Sequence, residues 1–276
     1  MNEINNTLVK FNMDNLTFIL PLGIETQDRY RNFLFTINYL INICPEANFI
    51  IHEMGDKNYS SNIEHVRIKK IFTKTPKIDE KFYKTWCINR AIEQAKTKII
   101  CIYDVDVLIP LKSIEKSIGY IIDGYDMVLP YSYGPHQKQI LNFKECENFM
   151  KSLNFEDFKT TRINNSFYGH VQFFNRLSYI EVGCENEDMI GWGPEDQEKL
   201  FKMYSLGYKV KYLDNSYVWH IEHSRLNPTP WMSEIHSKNV EIFEKIKNMS
   251  EIERKEYYSN KAKKFLKNKE THVSII

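Results

Sequence analysis

IICIYDVDVLIP, residues 99–110, is the most apolar run of the chain and carries two acids at its centre, Asp104 and Asp106. The pattern predicts one buried strand over residues 99–109. Along a strand, residues two apart point to the same side, so both acids face one way and Val105 turns back into the core. Two carboxylates that close, partly withdrawn from water, repel each other and protonate unless a cation lies beside them. A divalent metal resolves the conflict, and such oxygen ligands suit magnesium or manganese, ions that bridge the phosphates of a nucleotide. The competing reading is a turn with two solvated acids, which any D-x-D permits. Position favours the first reading, because ligands of open α/β sheets bind beyond the carboxyl ends of the strands.

The flanking segments supply the rest of such a sheet. Residues 17–22 (TFILPL) read as a buried strand closed by Pro21. Residues 28–43 place apolar side chains at Tyr30, Phe33, Leu34, Ile37, Leu40 and Ile41, a helical spacing that stops before Pro45. Strands are expected at 48–53, 66–72, 126–131 and 208–213, and helices at 82–95 and 114–122. That alternation implies an α/β fold with a mostly parallel central sheet flanked by helices. Residues 132–165 are polar, contain Gly134 and Pro135, and read as a loop-rich insertion with one helix near 143–153, a candidate mobile or substrate-specific region. The expected division is one domain over 1–231 and a lysine-rich helical tail over 232–276, where Ser250 and Glu253 have capping-box spacing.

With 276 residues, 42% of them hydrophobic, the chain can bury a large core, which excludes a disordered or fibrous protein. Lysine plus arginine (37) balances aspartate plus glutamate (36), so no global field steers it to nucleic acid, and any anion must be held by a local site. The first twenty residues lack a basic signal-like start and their apolar run is too short to cross a bilayer, so a cytoplasmic location is expected. The basic stretch between Lys238 and Lys269 has two readings, a solvated helix face or peripheral docking on the inner face of the plasma membrane. The five cysteines form no C-x-x-C pair and read as buried free thiols.

Two further segments carry chemistry. In NEDMIGWGPEDQEKLFKMYSLGY, residues 186–208, Pro194 is placed as a first helical residue. Leu200, Phe201, Met203, Tyr204 and Leu206 form an expected buried stripe, and Gly207 ends the helix. Glu195 and Asp196 then lie in the first turn, where the helix dipole favours their charged forms; a well-capped helix start explains them without function. Functionally, Gly191 and Gly193 let the backbone approach a ligand and present the Trp192 indole, on which sugars stack. A neighbouring carboxylate accepts the proton of an attacking hydroxyl, a role for Asp196, with Glu195 hydrogen-bonding the acceptor. In YVWHIEHS, residues 217–224, His220 and His223 point to opposite faces of an ideal strand, so joint metal ligation requires irregular backbone.

DVD followed by LIP, G-W-G-x-E-D opening a helix, and His223 followed by Ser224 and Arg225 together resemble the β-1,4-galactosyltransferase family. Phe82, Lys84 and Asn89 resemble that family's F-x-R-x-x-x-x-N element, and Pro21 its first nucleotide-contact strand. The likeness spans roughly residues 17–230; related patterns occur in chondroitin-type polymerases and polypeptide GalNAc-transferases. It implies a GT-A fold, manganese (or magnesium), and inverting transfer of a hexose (Gal, GalNAc, Glc or GlcNAc) from a UDP-sugar to a carbohydrate or glycolipid acceptor, with surface polysaccharide synthesis as the setting. Carried over by position, Asp106, His220 and His223 are metal ligands; Asp104, Pro21, Phe82, Lys84 and Asn89 serve the nucleotide; Trp192, Glu195 and Asp196 serve the acceptor. The family's arginines after the proline are replaced by Gly23 and Glu25, and Tyr168-Gly169-His170 replaces an F-G-G element near the donor sugar. The alternatives are a metal-dependent nucleotidyltransferase and a non-catalytic carbohydrate-binding protein.

Overall fold

The structure, a computed structural model, describes residues 13–75, 82–227 and 229–273. The outer limits of the expected domain and tail, at 1–12 and 274–276, lie outside them.

The first half follows the expected order. Strand β1 (Leu16–Leu22), helix α1 (Gln27–Ile43), strands β2 (Asn48–Gly55) and β3 (Ile68–Lys74), helix α2 (Lys84–Gln94) and strand β4 (Ile99–Tyr103) succeed one another. Every residue of β1 and β4 is buried, as in a sheet covered on both faces. Each fully buried Leu, Ile or Phe there contributes about 1.5–3 kcal/mol.

The strand expected over 99–109 is two strands. β4 ends at Tyr103, the chain turns through Asp104, Val105 and Asp106, and it restarts as β5 (Val107–Leu108) in a different sheet. The apolar residues on either side stay buried, and so does Val105. Two charged side chains cannot extend a strand buried on both faces, so the pair becomes the crossing point between sheets. The acids consequently meet different partners rather than facing one way.

Beyond β5 come α3 (Leu111–Ile122), β6 (Met127–Leu129), β7 (Gly134–Leu141), α4 (Cys146–Ser152), β8 (Thr160–Ser166), β9 (Val171–Asn175) and α5 (Arg176–Glu181). Then follow α6 (Glu195–Ser205), β10 (Val210–Tyr212), β11 (Val218–Ile221), α7 (Glu234–Lys247) and α8 (Glu251–Val273). The larger sheet has the order β10-β6-β9-β4-β1-β2-β3 and is parallel except for β9. The smaller sheet, β5-β11-β7-β8, contains the segment expected to be loop-rich. Its antiparallel pair β7 and β8, joined through α4, escapes a periodicity reading because most of its residues are polar and few are buried.

Helix α6 also departs from expectation. Leu200 and Met203 are buried, but Tyr204 is exposed, and the rest of the inward face is Glu195, Glu198, Lys199 and Lys202. These charges are tolerated because they are paired. Lys199 Nζ lies 2.9 Å from Asp196 and 3.1 Å from Glu185; Lys202 pairs with Glu198, which accepts the Tyr258 hydroxyl at 2.7 Å.

Helices α7 and α8 bury Phe243, Ile246, Tyr258 and Phe265, and they meet α6 where Phe243 packs on the Phe201 ring and Tyr258 bonds Glu198. Several of their lysines pair with acids one turn away, such as Lys238 with Glu234 and Lys255 with Glu251. No helix among the described residues is long and apolar enough to cross a membrane. The five cysteines are free and buried. Asn239 of α7 clasps the Gly191 to Gly193 turn: its amide donates to the carbonyls of Ile190 (2.7 Å) and Trp192 (3.2 Å) and accepts the Ile190 N–H (3.2 Å). A Cβ on Gly193 would lie 2.6–2.8 Å from that side chain, so the glycine is required for close approach. Asn239→Ala is expected to lower stability by about 2–3 kcal/mol, since it orphans buried backbone groups; urea unfolding measures this.

Candidate functional site

A cleft of about 790 Å³ opens where β1 and β4 end. Every residue singled out from the sequence lines it except Asn89. Asn89 follows Lys84 by five positions, roughly 140° around the helix, and so faces away. Its buried amide instead bonds the backbone of Glu185 and the carboxylate of Glu187, holding the loop before the Gly-Trp-Gly turn.

At one end, Asp106, His220 and His223 bring three ligand atoms within 4.8 Å of one another. His220 sits on β11, and β11 ends at Ile221, which supplies the irregular backbone that lets His223 turn to the same place. The His223 Nδ1–H donates to the Ser224 carbonyl at 2.8 Å, and its Nε2 faces Asp106 Oδ2, 3.0 Å away. Two lone pairs at that distance require a proton or a cation between them. Nδ1 of His220 is buried without a partner. Burial drives the His220 pKa down to about 3, leaving the imidazole neutral as a metal ligand must be. Asp106 is held well below its usual range although burial opposes this, with the His220 and His223 rings and the Arg29 guanidinium facing its carboxylate. This donor set fits a divalent cation, and two imidazoles favour manganese over the oxygen-loving magnesium.

Helix α1 braces this end. Asp28 accepts from the Ser224 N–H (2.6 Å) and hydroxyl (3.0 Å), and Asn32 donates to the carbonyls of Ile221 and Glu222. Arg29 between them reaches Asp106 at 3.8 Å and His223 at 3.5 Å.

At the other end, Lys84 at the start of α2 lies 3.2 Å from Asp104, 3.5 Å from Glu195 and 3.8 Å from Asp196. Burial and the adjacent Asp196 push the Glu195 pKa up to about 7. Burial also raises that of Asp196, but Lys199 and Lys84 prevail and keep it ionised, far below the usual carboxylate range. Gly169 makes room for Asp196, whose carboxylate occupies the space a Cβ would take. Trp192 stands half-exposed at the mouth, 5.0 Å from the His236 ring and 6.4 Å from Trp231. Pro21 is the last residue but one of β1; just beyond it, a Cβ on Gly23 would lie 3.1–3.2 Å from the Phe82 ring, and the Phe82 carbonyl accepts the Gly191 N–H at 3.0 Å.

No protein-family model and no curated protein matches the sequence. Among solved structures, GalNAc-T7 with UDP, GalNAc and Mn2+ is similar at TM-score 0.60 and 14% identity over 92% of this chain. The chain has the GT-A fold. It spans 55% of the length of that GalNAc-T7 chain. Two structures of Drosophila β1,4-galactosyltransferase 7 are similar at TM-score 0.42 and 14% identity. One is a complex with xylobiose, the other a mutant with manganese, UDP-Gal and xylobiose; they cover 79% and 75% of this chain and 78% and 71% of their own.

Within the GT-A sheet the cleft also gathers cations that the motif reading did not select. Arg29 and Lys138 line it, together with Arg225. Arg29 lies in the first turn of α1, the helix that follows β1. Lys138 belongs to the unforeseen β7. Titration calorimetry should find one Mn2+ site, weakened at least roughly 10- to 100-fold in Asp106→Ala, a loss that outer-shell partners alone produce.

Proposed function

We propose that the chain is an inverting, manganese-dependent glycosyltransferase that moves a hexose from a UDP-sugar to a hydroxyl of a carbohydrate acceptor. One observation carries this reading: a single cleft has the Asp106, His220 and His223 cluster at one end and, at the other, the Glu195 and Asp196 pair with Lys84 beside it. A GalNAc-T7 structure of the same fold holds UDP, GalNAc and Mn2+, which supports the choice of donor class and metal.

Asp106, His220 and His223 would hold the cation, which when bound offsets the charge developing on the departing diphosphate. Arg29, Lys138 and Arg225 add positive charge on the same side. Pro21 and Phe82 form an apolar wall for the nucleotide, and Asp104 with Lys84 lies at its sugar-proximal end. Trp192 offers its exposed ring to the acceptor. Asp196 takes the proton of the acceptor hydroxyl as its oxygen bonds to the anomeric carbon. The bond from that carbon to the diphosphate oxygen breaks on the opposite face, so configuration inverts in one displacement. Glu195 hydrogen-bonds the acceptor.

Incubation with UDP-hexoses and manganese tests this through slow UDP release with water as acceptor. Asp196→Asn should reduce the rate about 10²- to 10⁴-fold, the usual contribution of a general base. The pH profile separates the two acids. Asp196 stays ionised through the neutral range, so the wild-type rate should be flat between pH 6 and 8. A limb rising through pH 7 that disappears in Glu195→Gln would transfer the base role to Glu195. Consumption of nucleoside triphosphate instead of UDP-hexose would overturn the proposal itself.

A further inference from the structure

His170 has a backbone φ of 72°, in the left-handed region where a side chain other than glycine is strained. The strain is held by its surroundings. Its carbonyl accepts the Asp104 N–H at 2.9 Å, and Val171 next to it begins the pairing of β9 with Tyr103 of β4. The residue is thereby locked across from the turn that carries both aspartates. Its ring lies 6.4 Å from that of Tyr131 and 6.1 Å from that of His220, and Nδ1 is 3.9 Å from Asp104.

The neighbouring glycine gives the position meaning. Gly169 lacks a side chain where the Asp196 carboxylate stands, while His170 fills the adjacent space toward Asp104 and His220. The imidazole therefore stands between the proposed base and the proposed cation cluster, where an anomeric carbon undergoing displacement has to lie. It lines the cleft, and the 3.9 Å between its Nδ1 and Asp104 is beyond hydrogen-bond distance. An imidazole offers one donor and one acceptor, a pair that reads the orientation of sugar hydroxyls.

We propose that His170 is the donor-specificity residue of this chain, walling the space of the transferred sugar and hydrogen-bonding one of its hydroxyls. The proposal rests on the glycosyltransferase reading above. A site that bonds a particular hydroxyl discriminates far more strongly than one that selects by bulk, so its removal should reorder the donors rather than slow them uniformly.

His170→Gly is the informative variant, because glycine adopts this backbone without strain and its melting temperature should equal or exceed that of the wild type. UDP release with manganese is measured for both proteins with UDP-Gal, UDP-GalNAc, UDP-Glc and UDP-GlcNAc, alongside binding of UDP and of Mn2+ by calorimetry. The expected result is a change of roughly 10-fold or more in the ratio of kcat/KM between donors, with UDP and Mn2+ affinities unaltered. A parallel change for all four donors would refute the specificity role. Weaker Mn2+ or UDP binding would refute it too, by making His170 a ligand of the ion or of the phosphates. If the wild type releases UDP from none of the four and binds no UDP, the glycosyltransferase reading fails and this inference with it. Wild-type activity with an unmoved ratio removes the His170 role alone.

Discussion

A carboxylate buried as deeply as that of Asp106 has to be met by positive charge, and the donor end of the cleft is built around that requirement. The chain places Asp106 where it crosses between two sheets, so elements of both can reach it. From the smaller sheet β11 brings His220, and the chain leaving it brings His223. From the larger sheet's covering layer α1 brings Arg29. Asp28 and Asn32, on either side of Arg29, pin the helix to the backbone at 221–224. One helical turn thus fixes both the cation beside the carboxylate and the strand end that carries the imidazoles. Removing one partner from so buried a pair typically costs about 3–5 kcal/mol, so position and charge are maintained together.

The same logic organises the opposite end with the signs arranged differently. Lys84 lies among three carboxylates, and Lys199 reaches Asp196 from beneath. Two ammonium groups keep Asp196 ionised, while burial and the adjacent Asp196 charge raise Glu195, which makes no ion pair with Lys199, toward neutrality. Adjacent acids on one helical turn acquire separate protonation behaviour because only one faces the buried lysine. The helix dipole acts on both alike and cannot separate them.

The features legible in the sequence were those set by local rules. The apolar run before Asp104, the helical spacing of α1 and the glycines around Trp192 each follow from backbone or burial constraints a few residues long. What local rules missed depends on partners far along the chain. Arg29 becomes a site residue through its contacts with Asp106 and His223, both far along the chain. The inward face of α6 is charged because Glu185 and Tyr258 meet it, and no periodicity of apolar residues announces such a face. The polar strand β7 pairs with β8 and with β11, and β7 and β8 bury little enough that their pattern resembles loop. Asn89 erred in the opposite direction: a motif match assigned it to the ligand, whereas helical phase turns it to the supporting loop.

The two ends of the cleft differ in how they are attached. Asp104 and Asp106 hang from the ends of strands buried on both faces, so their positions are as rigid as the sheet. The Gly191 to Gly193 turn belongs to no strand, and Gly191 itself has a φ of 67°. That turn is fixed by Phe82 on one side and by Asn239 of α7 on the other. Phe82 lies two residues before Lys84, which joins Asp104 to Glu195 and Asp196. A shift of the turn is therefore transmitted to the start of α2 and so to the ammonium that holds the acids. The helices after residue 233 are in this sense structural parts of the acceptor end.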